Sequence, residues 1–282
     1  MSGGPTLQRA MPEPCPRFLG AASGQLFCME YPPAAWTSGE GLLIVAPIGE
    51  EMNKCRRMMA LAARALQAAG LGALYVDCHG TGDSAGDHRD ATVVRWRDDL
   101  RHAAAHLLGL GAAIVHVLAI RSGALLLDAE LVGDGAWGRL ALWQPVLTGK
   151  QVVTQWLRLA TAGEVVAGAG RGGEQRVRQL LETQGYCEIA GYDVSRELVA
   201  QLGTLELRQA LERPWRHISW FEVVADDAAG LSPAATRTIA NAGARSSTIT
   251  SQTVVGEPFW ATPEIATSAA LVAATRDYLV QP

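Results

Sequence analysis

Ala113-Ile114-Val115-His116-Val117-Leu118-Ala119-Ile120-Arg121-Ser122-Gly123-Ala124-Leu125-Leu126-Leu127 decides the fold. Its first half is an almost unbroken apolar run of strand length, the pattern of a strand covered on both faces. Its second half reads as the start of an apolar helix, Gly123–Val132, reached through one sharp turn at Arg121-Ser122. The same rhythm repeats outward. Leu42–Val45, Ala73–Val76 and Leu140–Val146 read as strands, and Asn53–Gly70 and Val93–Leu108 as helices. Strands alternating with helices across short connections imply parallel strands joined by right-handed crossovers, hence a doubly wound sheet. Before it, Arg17–Tyr31 alternates around Ser23-Gly24 and fits an antiparallel hairpin.

The alternation breaks after Pro145. Helical patterns at Val152–Val166, Gln175–Thr183 and Val194–Leu211 follow with no strand between them. Strand patterns resume at His217–Val224 and Ser247–Val255, with a short helix between and a last helix over Glu264–Leu279. A helical block inserted after the sixth strand, with both flanks rejoining one sheet, predicts an α/β-hydrolase fold. The expected division is a disordered tail over 1–16, a core of 17–147 and 215–282, and a helical lid over 148–214.

Bulk properties narrow the class. With 49% apolar and 18% charged residues, 282 residues build one large core and exclude global disorder. A net charge of −4 gives no reason to expect nucleic acid. No apolar run approaches membrane-spanning length, and residues 1–16 lack the apolar core of a secretory signal. Five scattered cysteines without a CxxC pair predict reduced thiols in a cytoplasmic protein, with no metal and no cofactor implied.

Open α/β sheets bind ligands beyond the carboxyl ends of their strands. At the third such end, Gly49 permits the close backbone approach of an oxyanion-hole loop. Glu50 and Glu51 beside it would oppose a developing oxyanion, and read either as helix-start carboxylates or as a charged pocket wall. At the fourth, Gly82-Asp83-Ser84-Ala85-Gly86 matches G-x-S-x-G to the letter. The polar stretch Asp87-His88-Arg89-Asp90 follows it, where a nucleophile elbow needs an apolar helix, so the match reads as a decoy. Cys78 and His79 are adjacent and point to opposite faces, which makes Cys78 a structural thiol.

At the fifth end, Ala119 and Gly123 take the small positions, the elbow apex falls on Arg121, and Ser122 is displaced by one. Arginine is no nucleophile. It either grips an anion together with the helix start, or is tied internally by Glu50, Glu51 or Asp226. After the eighth strand no histidine follows His217, and Pro258 or Phe259 stands where the base belongs. Only the acid position, Asp226 or Asp227, keeps its residue type. The triad is degenerate at two of three positions, Arg121 and Pro258.

Six segments carry a further signal: Pro47–Met59, Asp77–Gly86, Arg121–Leu125, Trp143–Gln151, Ala190–Tyr192 and Gly256–Trp260. Together they resemble the type 2 α/β-hydrolase-like proteins associated with the exosortase A system, over nearly the whole chain from Arg17. The resemblance implies a bacterial cytoplasmic protein encoded with exopolysaccharide and PEP-CTERM sorting genes, with arginine typical at the elbow. It supplies no substrate.

Three functions compete. The first is a non-catalytic protein holding a small anionic or acyl ligand beneath the lid, with Gly49, Glu50, Glu51, Arg121, Ser122, Gln144, Glu257 and Trp260 as ligand-binding residues beside Trp143 and Phe259. The second is an atypical esterase or acyltransferase with Ser122 as nucleophile and Glu257 or an aspartate as base. The third is an assembly role with proteins of the exopolysaccharide locus, which predicts a filled pocket and an exposed apolar patch on the lid helices.

Overall fold

The computed structural model describes residues 11–36, 39–133, 135–166, 173–243 and 248–281. In chain order the strands are β1 (Cys15–Ala21), β2 (Gly24–Tyr31), β3 (Glu40–Val45), β4 (Gly72–Val76), β5 (Ile114–Ile120), β6 (Trp137–Trp143), β7 (Tyr186–Ile189), β8 (Tyr192–Ser195), β9 (His217–Val224) and β10 (Ile249–Val255). The helices are α1 (Glu50–Ala68), α2 (Val93–Gly109), α3 (Gly149–Val166), α4 (Gly173–Thr183), α5 (Arg196–Leu202), α6 (Leu207–Leu211), α7 (Pro233–Gly243) and α8 (Ala269–Leu279).

Eight strands form one sheet in the order β1-β2-β4-β3-β5-β6-β9-β10. β1 and β2 form an antiparallel hairpin, β2 meets β4 antiparallel, and the other pairs are parallel. The doubly wound, mostly parallel sheet with its N-terminal hairpin stands as expected. Period-2 geometry explains why the central strands are apolar throughout. Leu42 and Ile44 of β3 enter the layer that holds Met58 and Met59 of α1 and Leu271 of α8, whereas Leu43 and Val45 enter the layer of Trp96 and Leu100 of α2. Among the described residues no helix is long and apolar enough to cross a membrane.

Three boundaries differ from expectation. β1 begins at Cys15, inside the stretch read as tail, while residues 1–10 lie outside the described residues. The helix expected over Gly123–Val132 is a six-residue 3-10 turn, Arg121–Leu126, followed by irregular chain. Ala124 to Leu127 are all buried, so the segment has no exposed stripe to make it a surface helix. Asp128 then turns outward to ion-pair with Arg101. β6 ends at Trp143 because Gln144 takes φ 42° ahead of Pro145.

Residues 148–214 also hold a strand pair, not helices alone. β7 and β8 form a hairpin around Ala190-Gly191, at φ 50° and 84°, the positive pair of a type I′ turn. Glycine adopts that geometry freely. Alanine does so against its preference, which is why the turn carries no Asn-Gly signature.

Candidate functional site

The site begins with the turn that follows β5. Arg121 has φ 54°, a left-handed conformation that costs a non-glycine residue about 1 kcal/mol or more and persists only where its surroundings enforce it. Enforcement is visible on both sides. A Cβ on Gly123 would fall on the carbonyl oxygen of Ala46, so only glycine lets the turn press against the chain after β3. The Ser122 hydroxyl accepts a hydrogen bond from the Ile48 N–H at 2.9 Å, and the Val146 N–H donates to the Arg121 carbonyl at 3.3 Å. This is a sharp, strained strand-to-turn elbow with arginine at its apex.

The guanidinium faces an internal carboxylate. Its Nε donates to Glu51 Oε2 and its Nη2 to Glu51 Oε1, both at 3.1 Å, a bidentate pair. Its Nη1 donates to the Gln144 carbonyl at 3.0 Å, and the Trp260 ring lies 4.8 Å from the guanidinium carbon. Gln155 Nε2 of α3 donates to Glu51 Oε1 at 3.2 Å. The two consecutive carboxylates therefore divide. Glu51 turns inward to Arg121, while Glu50 pairs with Lys54 on the same helix at 3.0 Å. Both stand in the first turn of α1, where the helix dipole favours negative charge. Below Arg121, the 3-10 turn provides no helix of its own to hold an anion.

The remaining positions are filled or directed elsewhere. Ser122 is 2% exposed. Gly49 (φ 71°) lies beneath the indole of Trp156 from α3, and the space left between Ile48, Ser122, Glu51 and Trp156 is about 20 Å³, room for one water. Trp143 packs edge-on against Phe259 with ring centroids 5.9 Å apart, and Phe259 against Trp260 at 5.0 Å. An aromatic cluster thus occupies the loop that follows β10. Pro258 and Glu257 are exposed beside it, and Glu257 is not brought to Arg121. Asp226 accepts the N–H groups of Ala228 and Ala229 at 3.0 Å each and closes its own exposed loop, with Asp227 exposed beside it. Of the residues singled out from sequence, Gly49, Glu51, Arg121, Ser122, Gln144 and Trp260 converge. Glu50, Asp226, Glu257 and Pro258 do not.

The G-x-S-x-G loop after β4 is occupied structurally. The Ser84 hydroxyl donates to the Asp77 carbonyl and accepts the Phe27 N–H at 2.8 Å, tying the loop to β2. Burial pushes the Cys78 thiol well above its ordinary range, with Asp99 and Asp77 adding to the effect, which disfavours a thiolate there.

Beside Arg121 lies a cleft of about 300 Å³ that the sequence did not disclose. Gln144 and Gln151 line it with Gln155, Ser232 and Glu222. Glu222 is 5% exposed and accepts the Ser232 N–H at 2.7 Å, the Ser232 hydroxyl at 2.9 Å and the Trp220 indole N–H at 3.4 Å. A lone carboxylate inside the apolar run Trp220-Phe221-Glu222-Val223 was the one signal available.

No family model matches the chain, and no curated protein sequence matches it. Solved structures do. Est1E from Butyrivibrio proteoclasticus, solved with ferulic acid bound, superposes with a TM-score of 0.62 at 12% identity, covering 94% of this chain and 98% of that one. An esterase of Pyrococcus furiosus gives 0.55 at 10% identity over 90% and 85% of the two chains. A Xanthomonas campestris protein described as a serine hydrolase without a lid gives 0.53 at 14% over 95% and 92%. At such identities the likeness is one of fold, and the fold of this chain is the α/β-hydrolase fold.

Proposed function

We propose that this chain is a ligand-binding protein on an α/β-hydrolase scaffold that no longer performs serine-hydrolase chemistry. One observation carries the reading: the elbow apex holds Arg121 in a bidentate pair with Glu51 beneath Trp260. An acyl-transfer site needs a nucleophile there, a base beside it and donors for an oxyanion. Here the apex is a cation, the base position is an aromatic cluster, and the Ile48 N–H is engaged by Ser122. Glu51 adds a carboxylate that would oppose an oxyanion.

Against an anionic or acyl ligand gripped beneath α3 stand the engaged donors of Arg121 and the 20 Å³ of free space. The larger cleft alongside is the better-supported binding place. In this reading the described residues of 148–214 form a cover over the core segments 17–147 and 215–282. The setting that goes with it is the one implied by the sequence resemblance, the bacterial cytoplasm beside exopolysaccharide and PEP-CTERM genes. Co-purification with proteins encoded in such a locus tests that setting.

A fluorophosphonate probe, with aryl esters of graded acyl length, tests the chemistry. The expected result is neither labelling nor turnover. Labelling mapped to Ser122 would overturn this reading and revive an atypical esterase or acyltransferase.

A further inference from the structure

Arg121 and Gln144, two of the three non-glycine residues at positive φ among those described, both line the cleft of about 300 Å³. Strain of this kind persists where the surroundings over-determine it, and it gathers at ligand sites. The charges around the cleft then narrow what can bind. Glu51 and Glu222 are both buried, and Arg121 balances only one of them. A weakly screened site with one excess negative charge repels an anion.

The hydrogen-bonding groups exclude the opposite case. The Gln144 amide oxygen accepts the Val223 N–H, and the Gln151 amide oxygen accepts the Leu147 and Thr148 N–H groups. The amide nitrogens of both glutamines have no partner among the described residues. Three N–H groups of Arg121 are engaged, which leaves two of its five. Such donors offer a cation no lone pair, and the Glu222 carboxylate is already taken up by Ser232 and Trp220. Gln155, whose nitrogen goes to Glu51, offers its carbonyl as an acceptor. Pro145, Val146 and Ala234 add an apolar wall.

We propose that the cleft binds a neutral saccharide of mono- to disaccharide size. Hydroxyl and ring oxygens accept from the glutamine and arginine donors, one hydroxyl donates to Gln155, and the C–H face of a ring lies on the apolar wall. This rests on the reading that the elbow serves binding and not hydrolysis.

The test is ligand-observed NMR and calorimetry on the full chain with maltose, cellobiose and N,N′-diacetylchitobiose, set against digalacturonate. At least one neutral disaccharide binds, and digalacturonate binds about ten-fold more weakly or not at all. Gln151→Glu keeps the acceptor for the Leu147 and Thr148 N–H groups but removes the donors and adds charge. It lowers the neutral affinity about ten-fold or more with an unchanged melting temperature. Ala234→Trp fills the cleft from the opposite wall and abolishes binding. Absence of binding by every neutral disaccharide, tighter binding of digalacturonate, or full affinity in both variants overturns the proposal. Fluorophosphonate labelling fails independently of these outcomes. Labelled protein that still binds saccharide sinks only the non-hydrolytic reading, and unlabelled protein that binds none sinks only this inference.

Discussion

Two loops of this molecule leave the carboxyl ends of β4 and β5, strands consecutive in the chain that flank β3 in the sheet, and each carries a serine. The loop after β4 spells Gly82-Asp83-Ser84-Ala85-Gly86, yet Ser84 is turned to the Asp77 carbonyl and the Phe27 N–H. The turn after β5 spells Ala119-Ile120-Arg121-Ser122-Gly123, and it alone has the strained apex, at φ 54°, with a glycine pressed against the chain after β3. One region has the letters of a nucleophile elbow without its backbone. The other has the backbone without the nucleophile. The motif describes a chain conformation first, and a catalytic serine only where a base and an oxyanion hole stand around it.

The turn after β5 depends most on the Arg121–Glu51 pair, whose side chains are only 16% and 11% exposed. Arg121→Ala leaves the Glu51 carboxylate buried without its cation and is expected to cost about 3–5 kcal/mol, a fall in melting temperature on the order of 10 °C. Replacing both partners with apolar residues, Arg121→Met with Glu51→Leu, recovers most of that loss because no charge is left unpaired. A double-mutant cycle followed by urea denaturation measures the coupling, expected at about 2 kcal/mol or more. Single variants that each cost under about 1 kcal/mol would mean the elbow is not held by this pair.

The first loop gives the next largest effect. Ser84→Ala removes the acceptor of the Phe27 N–H and the donor to the Asp77 carbonyl, at an expected cost of about 1–3 kcal/mol. Urea midpoints measure it, and the expected signature is lost stability with unchanged saccharide binding. A stability-neutral Ser84→Ala that changed reactivity toward an acyl probe would return this loop to the catalytic candidates.

What was legible in the sequence follows the same division. Strands such as Leu42–Val45 and Val117–Ile120 announced themselves because burial on both faces leaves an unbroken apolar run, and the sheet followed from their alternation with helices. The partner of Arg121 could not be chosen between Glu50, Glu51 and Asp226. Adjacent residues on a helix diverge by about 100°, and only the packing of α1 decides which carboxylate turns inward. The β7–β8 hairpin was hidden because Ala190 holds a left-handed position that alanine rarely signals. The cleft was hidden because it joins α3, β9 and the start of α7, which no local pattern relates.

Acidification sharpens the contrast through the far end of the first loop. His88 lies between Trp96 and Tyr192, its ring Nδ1 donates to the Asp193 carbonyl of β8 at 3.0 Å, and its Nε2 is buried without a partner among the described residues. Burial lowers its pKa below the ordinary value of about 6.5. The unfolded chain therefore takes up a proton first as pH falls. The contribution to stability is whole above about pH 6.5 and is lost as pH drops toward the folded-state pKa, no more steeply than about 1.4 kcal/mol per pH unit for one ring. His116 and His217 shift in the same direction, so the wild-type slope alone does not isolate His88. The difference in pH-dependent stability between wild type and His88→Leu does, and identical slopes would remove His88 from the account.

The smallest effect belongs to Ser122, and it bears most directly on what the second turn is for. Ser122→Ala deletes one acceptor, for the Ile48 N–H, beside a space of about 20 Å³ that admits a water in its place. The expected cost is about 1 kcal/mol or less, a shift of a few degrees at most in thermal melting. Were Ser122 a nucleophile, the same change would leave stability alone and abolish an activity. The two accounts assign the substitution opposite signatures, so a melting curve, aryl-ester turnover and an affinity for the neutral disaccharides, measured on wild type and this variant, separate them. A small drop in stability with unaltered binding places Ser122 in the wall that shapes the turn, leaving Arg121 as the residue for which that turn is built.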